Sequence, residues 1–265
     1  MGYWQNREAK AQEKLTKQSI KKVEAQLARY YASTMKKILG DFEKVYLKIF
    51  QDIKEGETPS PANLYKLDTY WQMQAQLTAE LRNLGEKQAA LLGANFTKHF
   101  QTIYKSLSLE SEKMFATIDK TVAKEMINQI WCADGIAWSQ RIWNNTAKLK
   151  QELNQGLIDC LVAGRKTSEL KRVLQNRFGV SYSRANTLVR TEMAHIQTQA
   201  AAKRYQDMGI EKYQIRGNEE DTCGGHAIDC HEMDGKEFYY REMKVGVNAP
   251  PFHPNCRCCI VPVVD

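Results

Sequence analysis

The sequence predicts a mainly α-helical protein whose C-terminal end is a small, zinc-stabilised α+β domain. Two observations support this fold class. Apolar residues recur at three- and four-residue steps from about position 15 to position 207, as on the buried face of a helix. Five of the 7 cysteines and three of the 5 histidines then fall between positions 223 and 259, where short strand-like runs alternate with turns.

The length and composition restrict the class of protein. A chain of 265 residues suits one elaborate domain or two modest ones. No run approaches the ~20 apolar residues that cross a bilayer, and the first residues lack the apolar core of a secretory signal. We therefore expect neither a membrane span nor Sec export. We predict a basic long-helix region (1–130), a second helical part (131–209) and a Cys/His-rich, β-containing metal-binding end (210–265).

The apolar stripe predicts seven helices, separated where polar or glycine-containing stretches interrupt the period. They cover approximately residues 15–50, 61–84, 91–107, 114–130, 144–163, 168–177 and 181–207. We expect Gly85, Gly164 and Gly179 to end helices, because glycine readily takes the left-handed conformation that follows a helix. Ser181 is expected to cap the helix after Gly179.

Three tryptophans fall within 13 residues, between Trp131 and Trp143. Clustered tryptophans usually fill a core, so this segment is interpreted as a packing hub between helices. Indole rings also stack on nucleobases, and a base-stacking platform remains the alternative.

The strongest chemical signal is the C-terminal group of cysteines and histidines. Zinc takes four soft or borderline ligands in a tetrahedron, commonly as two close pairs. His253 and Cys256 are three residues apart and can face one ion. The second pair is more widely spaced than usual, with six residues between its members. We predict a structural zinc ion bound by Cys223, Cys230, His253 and Cys256, with Cys258 and His226 as alternates.

Other interpretations of this cluster remain open. One interpretation is that these cysteines are free buried thiols. A disulfide scaffold is disfavoured because five cysteines cannot all pair. A metal-dependent nuclease or deaminase would need an open coordination position and a nearby base, but no HExxH or HxE…PCxxC pattern occurs. A zinc-ribbon DNA-binding protein is a second alternative, although no recognition-helix pattern accompanies the cluster. We therefore expect a protein without enzymatic activity.

A charged motif, Arg190-Thr191-Glu192, lies inside the last long helix. Glu192 could act as a catalytic base, but no nucleophile accompanies it at an interpretable spacing. We favour a structural ion pair in which Arg190 and Glu192 hold this helix in place.

The first helix has a strongly basic surface. Residues 1–54 contain 12 Lys and Arg against 6 Asp and Glu, whereas residues 211–265 contain 6 against 10. A charged row of this kind is either a solvated face or a surface that attracts phosphates or an acidic protein. We predict a nucleic-acid or partner face that is blind to base sequence, formed by Lys10, Lys14, Lys17, Lys21, Lys22, Arg29, Lys36 and Lys37.

An ordered set of motifs resembles the phage Mu F-like head morphogenesis (minor capsid) proteins. The set comprises Arg190-Thr191-Glu192, Ala200–Gly209, Asp221-Thr222-Cys223 with Cys230, Asp234–Phe238 and Pro250–Cys258, and Trp138–Trp143 also matches that family's helical part. The resemblance covers roughly residues 131–265. One departure is that the family's first cysteine pair is usually CxxC, whereas six residues separate Cys223 and Cys230.

The resemblance implies a minor virion component bound near the portal inside the head. Its implied role is non-enzymatic, in head assembly and in packaging or delivery of DNA. The implied partners are the portal protein, double-stranded DNA and scaffold or capsid proteins, with an oligomer on the portal ring. The implied location is the capsid interior, after assembly in the host cytoplasm.

Overall fold

The computed structural model describes residues 3–52, 60–107, 117–217, 228 and 230–264. Within these ranges the chain forms seven α-helices and three β-strands. The helices are α1 (Tyr3–Asp52), α2 (Pro61–Leu64), α3 (Asp68–Ser106), α4 (Lys120–Ile127), α5 (Trp138–Val162), α6 (Thr167–Asp207) and α7 (Cys230–Met233). The strands are β1 (Lys212–Arg216), β2 (Glu237–Tyr239) and β3 (Cys259–Val263). The prediction of a mainly helical chain with a small strand-containing C-terminal end is confirmed. None of the helices in the described ranges has an apolar stretch long enough for a bilayer crossing.

The chain folds as two compact units that are assembled from non-consecutive segments. The first unit contains Met1–Glu24, Leu91–Trp138 and Asn186–Asp265, and the second contains Ala25–Ala90 and Ser139–Ala185. Helices α1, α3 and α6 therefore contribute residues to both units, as does α5 through its first residue, Trp138. The predicted division at residues 130 and 209 follows the order of elements along the chain, whereas these units follow spatial packing.

Gly85 does not end a helix, and the prediction that it would was wrong. Helix α3 continues through Gly85 to Ser106, so the helices predicted at 61–84 and 91–107 are largely one. A Cβ atom at position 85 would lie 2.5 Å from Cζ3 of Trp143 on α5. The glycine is needed because the indole ring packs directly against the helix backbone.

Gly179 and Ser181 also lie inside a helix, where the prediction had placed a helix end and an N-cap. Helix α6 begins at Thr167, close to the predicted start, and runs without a break to Asp207. Ser181 is fully buried, and its carbonyl oxygen accepts a hydrogen bond of 3.0 Å from Nδ2 of Asn145. Its hydroxyl also lies 3.3 Å from Oη of Tyr31. The hydrogen-bonding contacts of its buried side chain and carbonyl, rather than helix capping, explain why a serine stands at position 181.

Other predicted helix ends are correct. Gly164 (φ 59°) follows α5, and Gly209 (φ 76°) follows α6, both with the left-handed backbone that favours glycine. Of the helix predicted at 114–130, residues 114–116 lie outside the described residues, α4 forms 120–127, and residues 117–119 and 128–130 are not helical.

In the first unit, a three-stranded antiparallel sheet packs on helices. Its strand order is β2-β1-β3, and the two inward residues of β1, Tyr213 and Ile215, are completely buried. Gln12 of α1 donates a hydrogen bond of 3.0 Å to the carbonyl of Ile260 in β3. Gln12 also donates to the hydroxyl of Tyr205 on α6 at 3.3 Å. One buried amide thus joins the sheet edge to two helices.

The packing of Gly85 gives a testable difference between two helical glycines. Gly85→Ala should lower the free energy of unfolding by about 1–3 kcal/mol, because the added methyl displaces the Trp143 ring. Gly40→Ala is the matched control, since the space beside Gly40 in α1 is open. That change should raise the free energy of unfolding by about 0.5–1 kcal/mol through helix propensity. Denaturant titrations followed by circular dichroism measure both values, and equal effects would contradict this account of Gly85.

Candidate metal centre

Three of the predicted zinc ligands come together in the first unit. Cys230 is the first residue of α7, and His253 and Cys256 belong to the ligand turn (residues 253–258) that precedes β3. The ligand atoms of the three residues all lie within 4.8 Å of one another. Cys230 Sγ is 3.8 Å from Cys256 Sγ and 3.1 Å from Nε2 of His253. Elements separated by more than 20 residues in the chain therefore converge at one point.

The spacing of these atoms suits a tetrahedral ion. Two sulfurs that are each 2.3 Å from a zinc ion lie about 3.8 Å apart, as the two cysteine sulfurs do. A sulfur and an imidazole nitrogen on the same ion lie about 3.5 Å apart, slightly more than the 3.1 Å found here. Two thiols and one imidazole in this arrangement are a donor set that zinc prefers.

The histidine ring is held in the orientation that ligation requires. Nδ1 of His253 lies 2.9 Å from the carbonyl oxygen of Pro254 and donates a hydrogen bond to it. The Nε2 lone pair then faces Cys230. A hydrogen bond of this kind fixes the tautomer of ligating histidines in known metal sites.

A third thiol lies against the same cluster. Cys230, Cys256 and Cys258 are all buried and pack together, with Phe252 against them. Hydrogen bonds from the Cys230 and Cys258 thiols lower the pKa of Cys256, whereas hydrogen bonds with Cys230 and Cys256 raise the pKa of Cys258. A thiolate is the form in which cysteine binds a metal ion.

The remaining predicted ligands have different positions. Cys223 and His226 lie outside the described residues. Cys258 is beside the ligand sulfurs, as an alternate ligand must be. Cys259, the next residue, is the first of β3 and is buried, with a pKa raised to about 12 by burial. The two adjacent cysteines therefore have different roles, one beside the cluster and one in the core.

The three residues of the Arg190-Thr191-Glu192 motif contact three different segments. Arg190 forms an ion pair of 2.6 Å with Glu24 of α1. Glu192 is buried and accepts a hydrogen bond of 3.1 Å from the indole nitrogen of Trp131. Successive helical residues point about 100° apart, so each side chain of the motif reaches a different neighbour. The ion pair that the structure describes for Arg190 is with Glu24 of α1, and Glu192 bonds to Trp131.

Thr191 is a functional candidate that the sequence did not indicate. Its Oγ1 accepts a hydrogen bond of 3.1 Å from the backbone N–H of Asn255. Asn255 has a left-handed backbone (φ 61°), which asparagine tolerates better than most residues. This residue lies between His253 and Cys256, so the bond fixes the ligand turn to α6. The contact spans 64 positions in the chain, and no local pattern signals it.

The tryptophans of the 131–143 segment all pack against protein groups. Trp131 stacks on His195 with ring centroids 4.6 Å apart, and Trp138 meets Phe96 edge to face at 5.3 Å. Trp143 packs on Gly85. Burial lowers the pKa of His195 to about 3, so its ring is neutral. These contacts support the interpretation of the segment as a packing hub.

The predicted basic face of α1 is solvent-exposed. All eight of its lysine and arginine side chains are exposed: Lys10, Lys14, Lys17, Lys21, Lys22, Arg29, Lys36 and Lys37. Lys17 pairs with Glu13 and Lys37 with Glu80.

Comparison with known families gives a match over the C-terminal part of the chain. Residues 151–261 match the model of the family described as Phage Mu protein F like protein. The match contains the whole of the described metal cluster and the Arg190-Thr191-Glu192 motif. Comparisons with curated proteins and with solved structures gave no significant match.

The hydrogen bond from Asn255 to Thr191 predicts that Thr191 positions the metal ligands. Thr191→Val removes the acceptor and keeps the shape of the side chain, so we expect zinc affinity to fall by roughly 10–100-fold. Thr191→Ser keeps the hydroxyl and should bind zinc like the parent. Competition titrations against a chromophoric chelator measure the affinities. Equal affinity of the valine and serine variants would exclude this role.

Proposed function

We propose, from the match of residues 151–261 to the family described as Phage Mu protein F like protein, that the chain is a minor capsid protein of phage head morphogenesis, bound near the portal inside the head. In this role it contributes to head assembly and to packaging or delivery of DNA. The observation that supports the proposal is the match itself, because it includes both the ligand turn and the motif on α6. The protein acts as a structural component of the virion and not as an enzyme.

We propose that the cluster binds a structural zinc ion. The three strands of the sheet contain only five, three and five residues, and so small a sheet buries little apolar surface of its own. An ion bound by Cys230, His253 and Cys256 would link α7 to the ligand turn and to β3. Binding of a structural zinc ion is worth ~10–16 kcal/mol in zinc-finger peptides, which is large beside any single apolar contact in such a domain.

The proposed fourth zinc ligand is Cys223, with Cys258 and His226 as the alternates. Cys223 is favoured by the usual arrangement of zinc ligands as two pairs. Contact with the sulfurs of Cys230 and Cys256 supports Cys258. The candidates are separable by mutation.

The exposed basic face of α1 is the proposed contact surface for the portal or for double-stranded DNA. Its side chains present positive charge without a base-reading arrangement, which suits contact with phosphates or with an acidic protein surface. Further proposed partners are scaffold or capsid proteins. We also propose that several copies assemble on the portal ring.

The test of this function is assembly with the portal protein encoded by the same phage. Co-expression should give a complex that survives purification at moderate salt. Reversing the charge of Lys10, Lys14 and Lys22 should weaken the complex if α1 provides the contact, and reversal of Lys120, Lys124 and Lys148 controls for total charge. Normal, DNA-filled heads produced after deletion of the gene would exclude a role in head morphogenesis.

Loss of one zinc ligand should unfold the C-terminal end and leave the helices intact. Cys256→Ser should expose residues 230–264 to limited proteolysis, because the ligand turn loses its link to α7. The far-ultraviolet helix signal should persist, since α1, α3, α5 and α6 bury their own apolar faces. Mass spectrometry of the digest and elemental analysis of the protein measure both effects.

Two further variants identify the fourth ligand. Cys258→Ser or Cys223→Ser should lower the zinc content, and the one that does so is the ligand. Cys259→Ser is the matched control, because Cys259 is an adjacent buried cysteine that lies outside the cluster. A Cys256→Ser protein with unchanged zinc content and unchanged protease resistance would refute the structural metal.

A further inference from the structure

The two edges of the β2-β1-β3 sheet differ in what covers them. At the outer edge of β3, Gln12 of α1 donates a hydrogen bond of 3.0 Å to the carbonyl of Ile260. Gln5 donates one of 3.3 Å to the carbonyl of Pro262, and Pro262 itself has no N–H to offer. These side chains occupy the positions that another strand would need. A sheet edge that is covered in this way does not pair with other chains.

The outer edge of β2 has no such cover. Ile215 of β1 donates a backbone hydrogen bond to the carbonyl of Lys236, and backbone groups alternate in direction along an antiparallel pair. The N–H and C=O groups of Glu237 and Tyr239 therefore point away from β1. Among the described residues, none forms a hydrogen bond with these groups. They form the open edge of the sheet.

Opposite charges lie at the two ends of the open edge. Glu237, at the start of β2, is exposed. At the end of β2, Lys212 and Arg241 lie over the ring of Tyr239, at 5.1 and 4.4 Å from its centroid. Arg241 also lies 3.8 Å from Glu242, an exposed contact of little energy that leaves both cations beside the ring. The open edge is thus negative where it begins and positive where it ends.

An aromatic side chain lies at the centre of the open edge. Phe238 is on the inner face of the sheet, opposite Tyr213 of β1, and the two ring centroids are 6.0 Å apart. Tyr213 is completely buried, whereas Phe238 is only half-buried. An accessible aromatic ring beside unpaired backbone groups is typical of a surface that another strand covers.

We propose that the open edge pairs with the same edge of a second copy of this chain, antiparallel and centred on Phe238. A two-fold axis at Phe238 brings Glu237 of each copy opposite Tyr239 of the other. Because the backbone groups of both residues point outward, each such pair exchanges both of its N–H···O bonds. The Glu237 carboxylate then lies beside the cations on the second copy's Tyr239 ring, and the two Phe238 rings face each other. The contact rests on the sheet edge alone and not on the proposed role in the phage head.

The first experiment removes the outward backbone donor of Tyr239. Its φ of −80° and ψ of 141° suit proline, and its N–H is not used within one copy, so Tyr239→Pro should fold and block pairing. Tyr239→Ala is the matched control, because it loses the same ring and keeps the N–H. Sedimentation equilibrium of the full-length protein should give a dimer dissociation constant roughly tenfold or more higher for the proline variant than for the alanine variant. Circular dichroism checks the fold of both.

An exchange of charges gives a test that does not depend on proline. Glu237→Arg should weaken the dimer, because it places like charges together across the two-fold axis. Adding Arg241→Glu to this variant should restore dimerisation, because opposite charges then meet again. Within one copy the two positions lie at opposite ends of β2. A rescue therefore requires that positions 237 and 241 of different copies meet.

A cysteine cross-link identifies the register. Phe238→Cys places two thiols opposite each other at the two-fold axis, in the closely spaced kind of antiparallel pair, and mild oxidation should link the copies. Glu237→Cys should not cross-link, because position 237 lies opposite position 239. The parent protein gives the background from its own cysteines. A chain that sediments as a monomer at every concentration, without a cross-link at position 238, would overturn the proposal, as would equal dimerisation of the proline and alanine variants.

Discussion

The C-terminal end of this protein is too small to fold on apolar burial alone, and this constraint shapes the structure around it. Strands of three to five residues form a stable sheet only when one face packs on something larger. Here the support is helical. Gln12 of α1 bonds to the backbone of β3, and Tyr205 of α6 bonds to Glu8 of α1 at 3.2 Å. The ligand turn is then held by α6 through Thr191.

This dependence accounts for two polar groups of the first unit, the half-buried carboxyl of Glu8 and the buried hydroxyl of Tyr205. Burial raises the pKa of the Glu8 carboxyl and raises that of the Tyr205 phenol far above its ordinary value. Such groups are tolerated because each finds a hydrogen-bond partner on another element. Hydrogen bonds are directional, so they specify the position of a small sheet on the helices. Apolar contacts are not directional and specify that position less well.

The sequence predicts the helical content and the metal cluster well, because both depend on local patterns. A period of 3.6 is visible in any long amphipathic segment, and the spacing of His253 and Cys256 is that of one turn. Glycines are harder to interpret. Gly85, Gly164 and Gly179 look alike in sequence. In the structure, Gly85 packs against an indole ring, Gly164 follows the end of a helix, and Gly179 lies inside a helix with open space beside it. Only the residues packed against them decide among these roles.

Long-range contacts account for the remaining differences. The partner of Arg190 is 166 positions away, and that of Thr191 is 64 positions away. Nothing in the spacing of a single sequence encodes either contact. The grouping of segments into two units is equally non-local, since its boundaries fall inside four continuous helices.

The contact between Gly85 and Trp143 also determines how water reaches the middle of α3. A glycine leaves the neighbouring backbone amides without the cover of a side chain, so the indole on α5 supplies that cover. Hydrogen exchange of these amides is therefore governed by the opening of α5 as well as by fraying of α3 itself. Gly85, a residue of low helix propensity, therefore derives its protection from a different helix.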